Sequence, residues 1–280
     1  MNQIEDELRS LRKDIFLTAV SGGMAHLASA FSCLEIVYAL YLGGVMKHDP
    51  KLPDMPTRDR FILSKGHGSL ALYTVMCKDG YFDKEQLYSF IQPGTFLGGE
   101  PSLCLEKGIE ASTGSLGHGL SLGVGMALAL KSDGSQSRVY VLVGDGECQE
   151  GSMWEAIMSA AKFSLDNLIM IIDSNHIQKM GTTEEIMSIF DLQTRLAAFG
   201  WDCIRINGHD VSALINAFNL IKPSGKPIAV IADTVKGKGV SLMENNPAWH
   251  WRMPNKKETK VFMHELGITE EELAECKKHI

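Results

Sequence analysis

The chain has 280 residues, 45% of them hydrophobic and 22% charged, with a formal net charge of −7. That size and balance suit one large α/β domain or two small ones. An acid excess without any basic run speaks against nucleic acid or an anionic membrane as partner.

In chain order, the first residues, Met1 to Glu7, are acidic rather than the basic start of a signal peptide. Ile4, Leu8, Leu11, Ile15 and Ala19 recur on one face and predict a helix over 3–20. A second, apolar helix is expected over 32–42. The proline-bearing stretch 49–60 reads as a loop, and 60–64 as a short strand. Lys65-Gly66-His67-Gly68 is a turn leading into an apolar helix that runs through Met76. The stretch 93–113 reads as irregular, and 121–131 as a small-residue helix suited to close packing. Strands are expected at 139–143, 168–172, 202–206 and 228–232. Helices at 149–163 and 211–221 fall between them, and 233–256 has no clear periodicity. Thr269-Glu270-Glu271-Glu272 is a capping box opening a last helix. This alternation predicts one doubly wound α/β domain over 1–280, its sheet mostly parallel with helices on both faces, and 254–280 as a C-terminal extension. No apolar stretch is long enough to span a bilayer. The six cysteines (33, 77, 104, 148, 203, 276) are scattered with no C-x-x-C pair. They are expected as reduced thiols in a cytoplasmic protein.

The pair that carries most chemistry is Asp145 and Asn175, thirty positions apart. Each follows a run expected to be a buried parallel strand. The β-α-β unit they define puts both at the carboxyl ends of neighbouring strands, the crevice where open α/β sheets bind ligands. A carboxylate, an amide oxygen and adjacent glycines suit a divalent ion bridging to a diphosphate. A bare Gly-Asp-Gly is also a turn in which Asp145 caps the helix that follows.

Gly144-Asp145-Gly146, with Asn175 downstream, resembles the metal and diphosphate motif of thiamine diphosphate enzymes. The longer string Gly144 to Gly151, through Trp154-Glu155-Ala156 and Leu165-Asp166-Asn167-Leu168, resembles transketolases in particular. The resemblance implies the thiamine diphosphate-binding fold, with Mg2+ (or Ca2+ or Mn2+) held by Asp145, Asn175 and the backbone carbonyl of Ile177. It implies cofactor contacts from His67, Gly114, Ser115, Leu116, Gly146, Glu147, Asn175 and His250. It also implies catalytic roles for His26, His67 and His250, which would orient substrate hydroxyls and relay protons.

Two stretches depart from the family pattern. Around His26 the flanks are Ala25, Leu27, Ala28 and Ser29 in place of the usual proline and glycines. Glu100, in Gly98-Gly99-Glu100-Pro101, stands where relatives carry a histidine that holds donor hydroxyls. Ionised, it accepts hydrogen bonds but donates none. After His250, relatives have glycine and this chain has Trp251.

The resemblance covers the diphosphate-binding half of a transketolase. It implies a partner, a C-terminal subunit carrying the pyrimidine-binding domain, in an α2β2 assembly that acts on a ketose and an aldose. The sugar stays open among sugar phosphates, sulfosugars and apiose-type sugars. The alternatives are another thiamine diphosphate enzyme, of the deoxyxylulose phosphate synthase or 2-oxoacid decarboxylase kind, or a non-catalytic subunit retaining the fold.

Overall fold

Five short apolar runs form the strands of the computed structural model, which describes residues 2–189 and 191–277. They are β1 (Arg60–Leu63), β2 (Val139–Gly144), β3 (Leu168–Ser174), β4 (Asp202–Asn207) and β5 (Ile228–Asp233). All neighbours pair in parallel, in the order β1-β2-β3-β5-β4. The central strands are buried on both faces, as continuous Val/Ile/Leu runs require.

Strand periodicity splits the core into two layers. Tyr140, Leu142, Ile169, Ile171 and Val230 point to one face. There they meet α1 (Asn2–Gly22), α2 (Leu27–Tyr41), α3 (Ser69–Asp79) and α9 (Val211–Leu220). Val139, Val141, Leu168, Met170 and Ile231 point to the other face, towards α5 (Gly119–Ser132), α6 (Gly151–Lys162) and α8 (Leu192–Ala198). The doubly wound arrangement is as expected. Helix α2, mostly apolar, is buried on every side, because α1, α3 and α9 enclose it.

Most elements lie within a few residues of the expected ends. Helix α2 starts five residues early, directly after His26. Four helices come without a prior expectation: α4 (Lys84–Leu87), α7 (Thr183–Met187), α8 and α10 (Lys256–Leu266). The last helix is α11 (Glu270–Cys276), opened by the Thr269/Glu272 capping box. The segment expected as an extension packs into the first layer. Phe262 of α10 is fully buried and stacks on Phe16 of α1, ring centroids 5.0 Å apart. Residues 278–280 of that segment lie outside the described residues. No described helix is long and apolar enough to cross a membrane.

Helix α5 shows how tightly the second layer closes. A Cβ on Gly123 would lie 2.4 Å from Val141 Cγ2, whereas one on Gly125 meets nothing within 4 Å. We therefore expect Gly123→Ala to destabilise the chain by about 1–3 kcal/mol through overpacking. Gly125→Ala should stabilise it by about 0.5–1 kcal/mol through helix propensity. Urea denaturation midpoints of the two variants should move in opposite directions.

Candidate active site

The carboxyl ends of β1, β2, β3 and β5 converge on one cavity of about 260 Å3. Lys65, His67, Leu116, Asp145, Asn175 and Lys236 are among the residues that line it. Asp145 caps the short turn after β2, its Oδ1 accepting from Gly146 N at 2.7 Å. Its Oδ2 accepts from His176 N at 2.5 Å, which ties the ends of β2 and β3 together. The capping and the metal-site readings thus use the same carboxylate. His176 takes a left-handed conformation, φ +61°. That turn sets Ile177 beside the cavity, with its N–H on Asn175 Oδ1 at 3.0 Å.

Under this rim lies an ion pair between Lys65 and Asp173, with side-chain exposures of 1% and 0%. Asp173 also accepts from Ser32 Oγ at 2.8 Å, from Thr234 Oγ1, and from Asn175 Nδ2 at 3.3 Å. Burial alone would raise its pKa, but Lys65 and the hydroxyls outweigh burial and hold it low. Asp145 has no such partner. Burial, then repulsion from Asp173, raises its pKa to about 6.

Glu147 is almost fully buried, and both its oxygens are engaged. Oε1 accepts from Ser64 Oγ and from Gly117 N at 2.9 Å, and Oε2 accepts from Gly144 N at 3.0 Å. It ties three loops of the cavity wall to one another. Of the 114–116 loop, Leu116 lines the cavity. Gly114 instead packs against Gly66 and Glu100, and Ser115 is exposed. Glu100 lies close enough that a Cβ on Gly66 would sit 3.1 Å from its Cγ.

His26, His67 and His250 come together as expected, with ring centroids 5.1 to 5.8 Å apart. Burial is the main cause that lowers all three pKa values, with nearby lysines adding to it. His26 falls to about 4, His250 to about 3, and His67 well below its ordinary value. The hydrogen bonds assign the tautomers. His26 Nδ1 lies 2.8 Å from the carbonyl of His250, an acceptor only, so Nδ1 carries the proton and Nε2 a lone pair. Lys236 Nζ lies 3.1 Å from His250 Nδ1, so that nitrogen accepts and Nε2 carries the proton. One ring offers an acceptor, the other a donor. Behind His26 and His67 lies a second, mostly apolar cavity of about 290 Å3, walled by Met24, Leu70, Phe90, Ile91 and Trp251. The Trp251 ring sits 4.1 Å from that of His26.

Lys236 is the residue that sequence reasoning missed. Its Nζ donates to Ile177 O at 2.8 Å, and burial followed by repulsion from Lys65 lowers its pKa to about 8.

The donor set fits both a divalent ion and a diphosphate. No group of three or more His, Cys, Asp or Glu side chains is poised as a metal cage among the described residues. One carboxylate with amide and carbonyl oxygens is instead the pattern magnesium accepts when phosphate oxygens complete its shell. Gln178 Nε2, on the same cavity, is buried with no hydrogen-bond partner. An anion there would satisfy it.

Residues 1–280 match the family model described as transketolase, thiamine diphosphate binding domain. The chain belongs to the transketolase family. This transketolase-family chain is 38% identical over 266 residues to an apulose-4-phosphate transketolase subunit of Actinobacillus succinogenes, covering 95% of this chain and 96% of that one. It is 42% identical over 229 residues to a 6-deoxy-6-sulfo-D-fructose transketolase subunit of Clostridium sp., covering 81% and 83%. The crystal structure of Campylobacter jejuni transketolase superposes with a TM-score of 0.83 at 29% identity, over 97% of this chain. The chain spans 46% of that structure's length, about half.

The histidine environment has a pH signature. Unfolded histidine protonates near 6.5, so as pH falls the unfolded state takes up protons first. Stability is expected to drop progressively from about pH 6.5 to about 4 as His26 resists charging, and on to about pH 3 for His250. Nitrogen-15 shifts should show His26 as the neutral Nδ1–H form and His250 as the Nε2–H form at pH 5.5. An imidazolium spectrum there would contradict the assignment.

Proposed function

We propose that this chain is the diphosphate-binding subunit of a two-chain transketolase, transferring a two-carbon ketol unit from a ketose to an aldose. The observation that carries the reading is the juxtaposition of Asp145 and Asn175, at adjoining strand ends, with His67 and His250 on the same cavity and His26 packed against both rings. Asp145, Asn175 Oδ1 and the Ile177 carbonyl would hold a magnesium ion. Lys236, Gln178 and the backbone at Gly146 would take the diphosphate of thiamine diphosphate. When bound, that cofactor supplies the carbon nucleophile and the electron sink for ketol transfer.

The chain's own groups do the positioning. Lys236 holds an ammonium against the diphosphate side, and its lowered pKa reflects how dry that side is. His26 Nε2, with its lone pair, accepts a proton from a substrate hydroxyl, while the Nε2–H of His250 donates to a substrate oxygen. Both rings stay neutral at physiological pH, which lets the pair act in opposite senses at once. Glu100, beside Gly66, favours a donor that presents a hydroxyl to it and disfavours an anionic group there.

Relatives of matching length, themselves named as subunits of transketolases, support a partner that brings the remaining catalytic groups; the α2β2 stoichiometry is our proposal. The sugars in those relatives' names are apulose-4-phosphate and 6-deoxy-6-sulfo-D-fructose, and we propose an anionic sugar of that kind. Six unpaired cysteines support a reducing, cytoplasmic setting.

The chain alone should show no ketol transfer and should gain it when mixed with its partner. Asp145→Ala should keep the fold, by circular dichroism. It should weaken magnesium-dependent thiamine diphosphate binding more than about 100-fold, since losing even an outer-shell partner of a metal costs up to that. Turnover by the pure chain, or unchanged cofactor affinity in Asp145→Ala by calorimetry, would sink the reading.

A further inference from the structure

The turn that carries Lys236 leaves β5 as Thr234-Val235-Lys236-Gly237-Lys238-Gly239, and both glycines adopt positive φ, +80° and +94°. Inside it Lys238 N donates to Val235 O at 3.1 Å, and Asn245 N donates to Lys236 O at 2.9 Å. Other amides of the turn find partners outside it. Gly237 N donates to Ala28 O at 3.0 Å, and Val235 N donates to His209 Nε2 at 2.8 Å. The second contact is unusual in that a side-chain nitrogen accepts from a backbone amide.

That hydrogen bond fixes the state of the ring. Val235 N–H can only donate, so His209 Nε2 bears a lone pair and Nδ1 bears the proton. Nδ1 lies 3.1 Å from Glu35 Oε2, a close contact not aligned as a hydrogen bond, and neither of these buried atoms has a hydrogen-bond partner among the described residues. Glu35 is buried in α2. Burial opposes its charge, but Arg12 and His209 outweigh burial and hold its pKa below the ordinary value. Arg12 Nη2 donates to Glu35 Oε1 at 2.5 Å, and Arg12 Nε donates to Lys238 O at 2.8 Å. A Cβ on Gly239 would lie 2.9 Å from Arg12 Cδ, so only glycine lets the guanidinium come this close. The chain of contacts therefore starts and ends on the same turn, at Val235 N–H and at Lys238 C=O. Lys236 sits between these two anchors and projects the other way, to Ile177 O and His250 Nδ1.

We propose that His209 is a positioning residue: with Glu35 and Arg12 it forms a clip behind the Val235–Lys238 turn that aims Lys236 into the diphosphate cavity. His209 touches neither cavity, and Arg9, Lys238 and Glu265 share the outer cleft where the clip lies. As a neutral Nδ1–H ring it is an acceptor towards the turn and turns its N–H side to the Glu35 carboxylate. A glutamine can reproduce that pairing, with Oε1 towards Val235 and Nε2 towards Glu35. Phenylalanine fills the space and offers neither. The clip itself stands on the geometry above; its consequence for a ligand rests on the proposed diphosphate site.

Two measurements on the full chain test this separately. Residue-resolved hydrogen exchange reads the clip without any ligand. H209F should speed exchange at the Val235 amide by tenfold or more while the β5 amides keep their protection, and H209Q should restore it. Calorimetric titration with magnesium pyrophosphate reads the consequence. H209F should weaken binding by about tenfold, the scale of one lost hydrogen bond. H209Q should stay within about twofold, and adding H209F to K236A should cost nothing further. Unchanged Val235 exchange in H209F, or equal losses in H209F and H209Q, would overturn the clip. Additive losses in the double variant would show that His209 does not act through Lys236. A wild-type chain that fails to bind magnesium pyrophosphate would count against the cofactor reading, while the exchange data would still decide the clip.

Discussion

The Lys65–Asp173 ion pair is the constraint on which the rest of the site depends. Both charges are out of water, a position that costs several kcal/mol per ion unless pairing and hydrogen bonds compensate. Compensation is complete here because four segments contribute. Lys65 comes from the turn after β1, Ser32 from α2, Thr234 from the end of β5, and Asn175 from the end of β3. None of these can shift without exposing a dry charge, so the ends of the strands are held in register with α2. Removing one member of such a pair typically costs about 3–5 kcal/mol. Asp145 and the histidines are then presented by a rigid rim rather than by loose loops, as a site that must place atoms to fractions of an ångström requires.

Much of this was legible in the sequence, and for identifiable reasons. Asp145 and Asn175 each follow a continuous apolar run, and such runs place the next polar residue at a strand end. The chain's family stands in a string long enough to be distinctive, Gly144 to Gly151 onward. Lys65 was not legible as a buried charge. Ser-Lys-Gly-His reads as an exposed turn, and the partner that takes its ammonium inward is 108 positions away. Lys236 hid for a similar reason. In Lys236-Gly237-Lys238-Gly239 the two lysines look alike, but one is 2% exposed and faces the cavity while the other reaches the surface. Helix α10 had a readable signal, the capping box of Asn255 and Glu258, which is the same device that announced α11. For Ser115 and Gly114 the sequence did not tell their placement, one exposed and the other packed against Gly66 and Glu100.

Glu147, on the wall of the same cavity, has its carboxylate engaged by the protein itself. Its carboxylate is spent on Ser64, Gly117 and Gly144, three backbone or hydroxyl donors from three loops. Burial still raises its pKa despite these bonds. In the same cavity the neighbouring Asp145 keeps fewer internal partners and more freedom to meet a cation. Two acids two positions apart thus divide the work between holding the wall and offering charge.

Asp145 and Lys236 are shifted in opposite directions from one cause, the dryness of the cavity. An empty site therefore carries a penalty that a bound ion and diphosphate would relieve. Neutralising either residue would ease that penalty and make the unliganded chain tougher while disabling it. Selection for stability alone would erode these two positions first. On the proposed function their presence is a trade of robustness for affinity, and any effort to harden this fold should leave both untouched.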